Sequence, residues 1–227
     1  MKARDKKNGF DWSSVDDVLL DLDGTLLDRH FDNVFFEVEL PRRYAAKHGL
    51  GLEVAQERLM QLYRAVEGQL VWADLHYWTG TLGIDTVALT RELKHLITFL
   101  PDAQDFLHHL RSYGKRVSIV TNAHTSGLQI KVTKTGVDQF VNRIVNAFEI
   151  GHLKMHPEFW PICHRLIGFD PKRCLYIDDD EACLTAAQQF GLRHLYHRSK
   201  SSSQDPPQPS SRFASIESLQ ELIASSS

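Results

Sequence analysis

Short apolar runs alternate with stretches of helical spacing over most of this 227-residue chain, and this alternation strongly limits the folds open to it. The apolar runs lie at 18–22, 116–120, 143–147, 174–177 and 193–196. Such runs, bounded by turn residues, are typical of strands buried on both faces of a parallel sheet. The helical stretches between them lie at 102–113, 126–135, 158–167 and 181–190. Together they predict an α/β fold with a doubly wound, mostly parallel sheet.

The segment 29–100 breaks this alternation, because its periodicity indicates helices and no convincing strand. One helix is predicted at 52–66, and another at 85–97 begins on the N-cap residue Asp85. We therefore expect an inserted helical cap domain at 29–100, between core segments 11–28 and 101–200. Its hinges should lie near 28–31 and 100–102.

The C-terminal part of the chain has a different composition. Residues 201–211 are rich in Ser, Pro and Gln, which is typical of an exposed linker. Beyond the linker, Ile216, Leu219, Leu222 and Ile223 would share one face of a helix. The sequence thus predicts a C-terminal helix within 212–227 that packs back on the core.

Charge and composition exclude several classes of function. The formal net charge of -3 gives no basic surface for nucleic acid or an anionic membrane. The N-terminal residues are charged and polar, unlike a signal peptide, and every apolar run is shorter than the ~20 residues of a membrane span. Three cysteines in no metal-binding spacing favour a reducing compartment. We therefore expect a soluble cytoplasmic protein.

The sequence Asp21-Leu22-Asp23-Gly24-Thr25 follows the first predicted strand. Two carboxylates leaving a buried strand are costly to place without a purpose. Gly24 permits the turn that would bring both into one pocket. A calcium-binding EF-hand loop does not fit, because the glycine comes two positions early and Asp32 occupies the position of the required glutamate.

Polar residues also follow three later elements. Thr121 and Asn122 end the second strand, where a hydroxyl and backbone amides suit phosphate binding, although any strand can end in this pair. Lys154 lies in a loop and, taken alone, would be read as a surface lysine. The acidic run 178–181 ends the fourth strand, and such crowding requires a cation or a helix N-terminus. Magnesium fits a set of carboxylates beside phosphate oxygens.

In this order the four elements resemble the haloacid dehalogenase-like (HAD) hydrolase superfamily. Its pattern is Asp-x-Asp-Gly-Thr, then Ser or Thr after the second strand, then Lys, then an acidic pair. The matching positions are Asp21, Asp23, Thr121, Lys154, Asp178 and Asp179. The resemblance implies a HAD-like Rossmannoid core, and the helical segment 29–100 matches a type 1 cap in position and character.

The resemblance also implies roles in phosphoryl transfer. Asp21 would attack phosphorus and form an aspartyl-phosphate. Asp23 would protonate the leaving alkoxide and later deprotonate the attacking water. Thr121, Asn122 and Lys154 would bind the remaining phosphate oxygens and stabilise the developing charge.

The cofactor implied by the resemblance is Mg²⁺. Its ligands would be Asp21, the backbone carbonyl of Asp23, and Asp179. Asp178 would orient these ligands without contacting the metal. The sequence alone also allows Asp178 to be the ligand in place of Asp179. Many relatives have a further aspartate where this chain has Cys183, so support must come from Asp178 or Asp180.

A narrower likeness concerns the substrate. Asp23 argues against a dehalogenase, and the residues around it do not match a transport ATPase. Several segments resemble the bacterial GMP/IMP nucleotidases of this superfamily, namely 21–28, 31–33, 74–78, 121–124 and 177–179. This likeness implies a purine nucleoside 5'-monophosphatase. The purine ring of its substrate could stack on aromatic side chains of the cap. Phosphatases of sugar phosphates or phosphoglycolate, a phosphomutase, and a non-enzymatic binding or regulatory domain are the alternatives.

Overall fold

A computed structural model describes residues 10–223. Six parallel strands form one sheet in the order β3-β2-β1-β4-β5-β6. The strands are β1 (Asp17–Leu20), β2 (Arg116–Thr121), β3 (Arg143–Asn146), β4 (Cys174–Asp178), β5 (His194–Arg198) and β6 (Ala214–Ile216). The predicted α/β fold with a parallel sheet is therefore confirmed, and five of its strands lie at the apolar runs.

The strands are apolar because both faces of the sheet are covered. Side chains alternate along β1, so Val18 and Leu20 pack into one cluster while Leu19 packs into the other. The first cluster contains Phe106, and the second contains Trp160. All four residues of β1 are buried, which explains why its sequence lacks an alternating pattern.

Helices occupy each connection from β1 to β5, including the long interval between β1 and β2. They are α1 (His30–Asn33), α2 (Leu40–His48), α3 (Leu52–Ala65), α4 (Leu75–Leu82), α5 (Thr86–Glu92), α6 (Ala103–Ser112), α7 (Thr125–Thr135), α8 (Ala147–Ile150), α9 (Phe159–Ile167) and α10 (Glu181–Phe190). Every helix within residues 10–223 is too short or too polar to cross a membrane.

The first helical segment after β1 contains a π-helical stretch, Val34–Glu39, between α1 and α2. Leu40 donates its N–H to the carbonyl of Phe35, five residues earlier. Pro41 has no N–H to donate, and its ring would clash with a carbonyl in a regular α-helix. The wider turn accommodates the proline, so the helical segment continues into α2.

The two segments that connect the helices of 30–96 to the sheet lie side by side. Leu27 and Phe99 form an isolated antiparallel bridge. Asp28 donates its N–H to Thr98 at 2.9 Å, and Leu100 donates to Leu26 at 2.9 Å. These contacts lie at or just before the positions where hinges are expected.

The predicted C-terminal helix within 212–227 is wrong over its described part. Ala214–Ile216 instead adds β6 to the open edge of β5, and a 3-10 turn follows at Leu219–Leu222. Ser218 begins this turn by a capping box with Glu221, which separates the turn from the strand. For residues 214–216, pairing with the edge of β5 is therefore more favourable than helix formation. Residues 224–227 lie outside the described part of the chain.

The predicted linker 201–211 is mostly exposed, but its first half packs on the connection between sheet and helices. Ser202 is buried, and Ser203 donates its N–H to Asp28 at 3.0 Å. Arg29 donates its N–H to the carbonyl of Ser201 at 3.1 Å. Asn33 contacts Asp205 at 2.9 Å. The segment is thus held against the connection between β1 and α1.

Candidate active site

The predicted site residues meet at the carboxyl ends of the three central strands. Asp21 follows β1, Thr121 ends β2, and Asp178 ends β4, and these strands are neighbours. The strand order reverses at β1, because β2 and β3 lie on one side of this strand whereas β4, β5 and β6 lie on the other. A crevice forms outside the carboxyl ends of parallel strands at such a switch point. Asp21, Asp23, Thr121, Asn122, Lys154, Asp178 and Asp179 all line one cavity there.

Gly24 makes the turn that brings Asp21 and Asp23 to the same cavity. Its φ of 96° lies in the left-handed region that favours glycine. A Cβ at this position would lie 2.3 Å from Oδ2 of Asp179, closer than atoms can approach. Position 24 therefore requires glycine both for its backbone conformation and for the close approach of Asp179.

Lys154 is a buried cation at the centre of the site. Its Nζ contacts Oδ1 of Asp21 and donates to Oδ2 of Asp178 at 2.7 Å. Its backbone is fixed on both sides, because its N–H donates to Oδ1 of Asn122 at 3.0 Å and Trp160 donates to its carbonyl at 2.9 Å. The lysine is therefore rigidly positioned and is not a surface residue.

The two aspartates at the end of β4 differ in their surroundings. Asp178 is fully buried and accepts hydrogen bonds from Lys154, the Tyr176 hydroxyl and the N–H of Asp180. Both of its carboxylate oxygens are thus engaged. Asp179 borders the cavity, where its Oδ2 pairs with Arg29 at 3.0 Å. This arrangement suits Asp178 for orienting Lys154 and leaves Asp179 facing the cavity.

The chemistry of the carboxylate group fits a divalent cation. Oxygens of Asp21, Asp178 and Asp179 lie within 4.8 Å of one another. Within residues 10–223, the buried Oδ2 of Asp21 has no hydrogen-bond partner. Burial and the carboxylates of Asp178 and Asp179 raise the pKa of Asp21, and burial with Asp178 raises the pKa of Asp179 to about 7. A cation bound here would compensate this charge, as hard oxygen ligands do for magnesium.

A second buried lysine, Lys131 on α7, was not identified from the sequence. Its Nζ lies 2.7 Å from Oδ1 of Asp23 and 3.2 Å from Oδ1 of Asp32. Burial opposes the charge of Lys131, yet the two carboxylates raise its pKa. The sequence does contain one indication that Lys131 is buried. This lysine comes three residues after Leu128, so both lie on the apolar face of a helix.

Thr121 and Asn122 differ in how they meet the cavity. Thr121 is buried, and its Oγ1 accepts the N–H of Ala123 at 3.0 Å, so its hydroxyl proton remains available to an anion. The Oδ1 atom of Asn122 accepts from the backbone of Lys154. Asn122 therefore contributes chiefly by fixing the loop that carries Lys154.

Helices of 30–96 form the opposite wall of the cavity, which has a volume of about 640 Å³. Small-molecule sites typically measure about 300–1,000 Å³. Six aromatic residues of this segment line it, namely Phe31, Phe35, Phe36, Tyr63, Trp72 and Trp78, whereas Tyr44 and Tyr77 do not. Trp78 is buried and donates to the carbonyl of Trp72, while Trp72 itself is 42% exposed. His124 joins the two walls, since its Nε2 lies 3.2 Å from Asp74.

Comparison with known proteins agrees with this geometry. A family model for haloacid dehalogenase-like hydrolases matches residues 15–191. GMP/IMP nucleotidase YrfG of Escherichia coli (strain K12) is 38% identical over 183 residues, which cover 81% of this chain and 82% of that protein. Pyrophosphatase PpaX of Bacillus pumilus is 22% identical over 187 residues, covering 80% of this chain and 82% of that protein.

Solved structures show the same fold. The crystal structure of a HAD phosphatase from Thermococcus onnurineus superposes with a TM-score of 0.78 at 21% identity, over 92% of this chain and 97% of that one. The resemblance inferred from the motifs, including the narrower likeness to GMP/IMP nucleotidases, is thus confirmed. The chain belongs to the haloacid dehalogenase-like hydrolase family.

Proposed function

We propose that the protein is a magnesium-dependent phosphomonoesterase whose substrate is a purine nucleoside 5'-monophosphate. The observation that carries this proposal is the buried carboxylate of Asp21 in the wall of the cavity, with Lys154 on one oxygen and no hydrogen-bond partner within residues 10–223 on the other. A carboxylate held in this way is oriented for attack, and the neighbouring ammonium can bind the phosphoryl group that it attacks.

The reaction proceeds in two displacements at phosphorus. Asp21 forms a bond to phosphorus while the bond to the ester oxygen breaks, and Asp23 gives its proton to that oxygen. Water then attacks the aspartyl-phosphate, Asp23 accepts its proton, and phosphate leaves Asp21. Lys154 and the Thr121 hydroxyl hold phosphoryl oxygens in both steps, with Asp178 keeping the ammonium of Lys154 in place.

Asp21 and Asp179 would hold Mg²⁺ together with the backbone carbonyl of Asp23. The unpartnered oxygen of Asp21 and the raised pKa of Asp179 support these ligands. Asp178 is excluded from the set in this proposal because both of its oxygens already accept hydrogen bonds. When bound, the ion would offset negative charge between the carboxylates and the phosphate.

Replacing Asp23 by asparagine is expected to reduce turnover according to the leaving group. General acid catalysis contributes roughly 10²–10⁴-fold, so kcat/KM on a nucleotide, which reports only the steps up to formation of the aspartyl-phosphate, should fall by about that factor. With p-nitrophenyl phosphate, whose leaving group needs little protonation, the loss of kcat/KM should stay within about tenfold. Steady-state kinetics on both substrates check this, and equal losses would contradict the acid role of Asp23.

The helical segment 29–100 is proposed to act as a cap that binds the nucleobase. Its aromatic side chains face the phosphate-binding residues across a cavity large enough for a small ligand. A relative 38% identical to this chain is named a GMP/IMP nucleotidase. Trp72 is the best candidate for stacking, because Tyr63 and Trp78 already pack on each other at 5.0 Å.

A nucleobase pocket predicts a preference among phosphomonoesters. A stacked base worth about 1–3 kcal/mol should raise kcat/KM for GMP or IMP roughly 5- to 150-fold over ribose 5-phosphate and phosphoglycolate. Part of this difference should appear in kcat, because binding of the remote base assists closure and orientation at phosphorus. Kinetics on the four substrates measure it.

Trp72→Ala should remove most of this preference while leaving the rate on ribose 5-phosphate unchanged. Tyr113→Ala provides a matched control, because Tyr113 is an aromatic side chain of similar exposure, 46% against 42%, that does not line the cavity. Equal rates on all four substrates would reject the nucleotidase proposal and favour a phosphatase of another small phosphomonoester.

We further propose a cytoplasmic location. The three cysteines, Cys163, Cys174 and Cys183, are free and buried. Free thiols are maintained by the reducing conditions of the cytoplasm. A nucleotide substrate would be met in the same compartment.

A further inference from the structure

We propose that Lys131 is the positioning residue for Asp23, and that Asp32 holds Lys131 in place for this purpose. The inference rests on the proposed function, because it assumes that Asp23 transfers the proton to and from the reacting groups. It adds to the site a cation that the phosphoryl-transfer motifs do not contain.

The geometry is a three-group bridge at the edge of the cavity. The Nζ of Lys131 lies 2.7 Å from Oδ1 of Asp23 and donates to both oxygens of Asp32, at 3.2 and 3.4 Å. The ring of Phe31 lies 5.1 Å from the same nitrogen. Lys131 is only 5% exposed, and all of these residues line the cavity. The ammonium is therefore fixed between two carboxylates and an aromatic face.

Such burial is costly for a lysine, which normally extends its charge into water. The carboxylate of Asp32 would by itself balance the charge of the ammonium. The contact with Asp23 is therefore not required for charge balance. A buried ion pair elsewhere in the chain, Arg198 with Asp102, also contacts Ser218 and stabilises the C-terminal turn. In contrast, the bridge of Lys131 includes a carboxylate that the reaction uses.

The contact decides how the carboxylate of Asp23 is oriented. Lys131 lies at Oδ1 of Asp23, and an ammonium has only protons to donate. The other oxygen, Oδ2, is then the one left to meet the reacting groups. Because Asp32 lies on α1 and Lys131 on α7, the bridge also connects the beginning of the cap to the sheet domain. The orientation of Asp23 therefore depends on the position of the first cap helix.

The test is to compare Lys131→Met with Asp23→Asn on a nucleotide and on p-nitrophenyl phosphate. Lys131→Met should lower kcat/KM on the nucleotide by roughly 10- to 100-fold and on the aryl phosphate by less than about threefold, the selective pattern of a weakened acid. KM should change by less than about twofold. Lys131→Arg should restore most of the nucleotide activity, and the double variant should be no slower than Asp23→Asn alone.

Arg198→Lys is the matched control, because it weakens a buried ion pair that does not line the cavity and should affect both substrates equally. Equal losses for Lys131→Met on the two substrates, with Asp23→Asn still selective, would overturn the inference and leave the acid role standing. A rise in KM at unchanged kcat would assign Lys131 to substrate binding and also overturn it. If Asp23→Asn itself is unselective, the acid role fails and the inference fails with it.

Discussion

Replacing Asp21 by asparagine is expected to lower kcat by at least about three orders of magnitude on every substrate, because the amide oxygen is too weak a nucleophile to form the aspartyl-phosphate. The loss should be large for nucleotides and activated aryl phosphates alike, since both reactions require Asp21 as the nucleophile. The fold should persist, because asparagine has the same shape and Lys154 keeps its second partner, Asp178. Thermal unfolding of the variant should therefore resemble that of the native chain.

The covalent step can be observed separately from turnover. Acid quenching with labelled substrate should leave phosphate on the native chain and none on Asp21→Asn. Asp16→Asn is the control, since Asp16 is an exposed carboxylate just before the opposite end of β1 and pairs with Arg173. It should keep full activity. More than a few percent of native turnover in Asp21→Asn would exclude Asp21 as the nucleophile.

Five of the six strands could be predicted from the sequence because the cause of their apolar composition is local. Each central strand is covered on both faces, so its residues are apolar without interruption. The same strands end in polar residues, and parallel strands place these ends together. Asp21, Thr121 and Asp178 were therefore found without knowledge of the fold, and Gly24 marked the turn between them.

The contacts that were missed depend on residues far apart in the chain. Lys131 and Asp32 are 99 residues apart, and nothing local to either indicates the other. Arg29, which pairs with Asp179 150 residues later, was missed for the same reason. The strand β6 was predicted as a helix because its pairing with β5 is not visible in the spacing of apolar residues. Local periodicity thus predicts elements, while their partners require the folded structure.

Removal of the metal is expected to abolish activity as completely as the loss of Asp21. Without a cation, the carboxylates of Asp21 and Asp179 repel both each other and the incoming phosphate dianion. Burial and neighbouring charge raise the pKa of Asp21, so the chain alone does not favour the ionised nucleophile. Treatment with EDTA should stop hydrolysis of GMP, and excess Mg²⁺ should restore it.

The metal requirement also distinguishes the two aspartates that follow Asp178. Asp179→Asn should raise the Mg²⁺ concentration needed for half-maximal activity by about 10- to 100-fold, because it removes a charged oxygen ligand. Asp180→Asn should leave this concentration unchanged, since Asp180 caps α10 through the N–H of Ala182 and asparagine caps helices equally well. Isothermal titration of Mg²⁺ into each variant measures the affinity without relying on turnover. Full activity after exhaustive chelation, or equal affinities in the two variants, would contradict the proposed site.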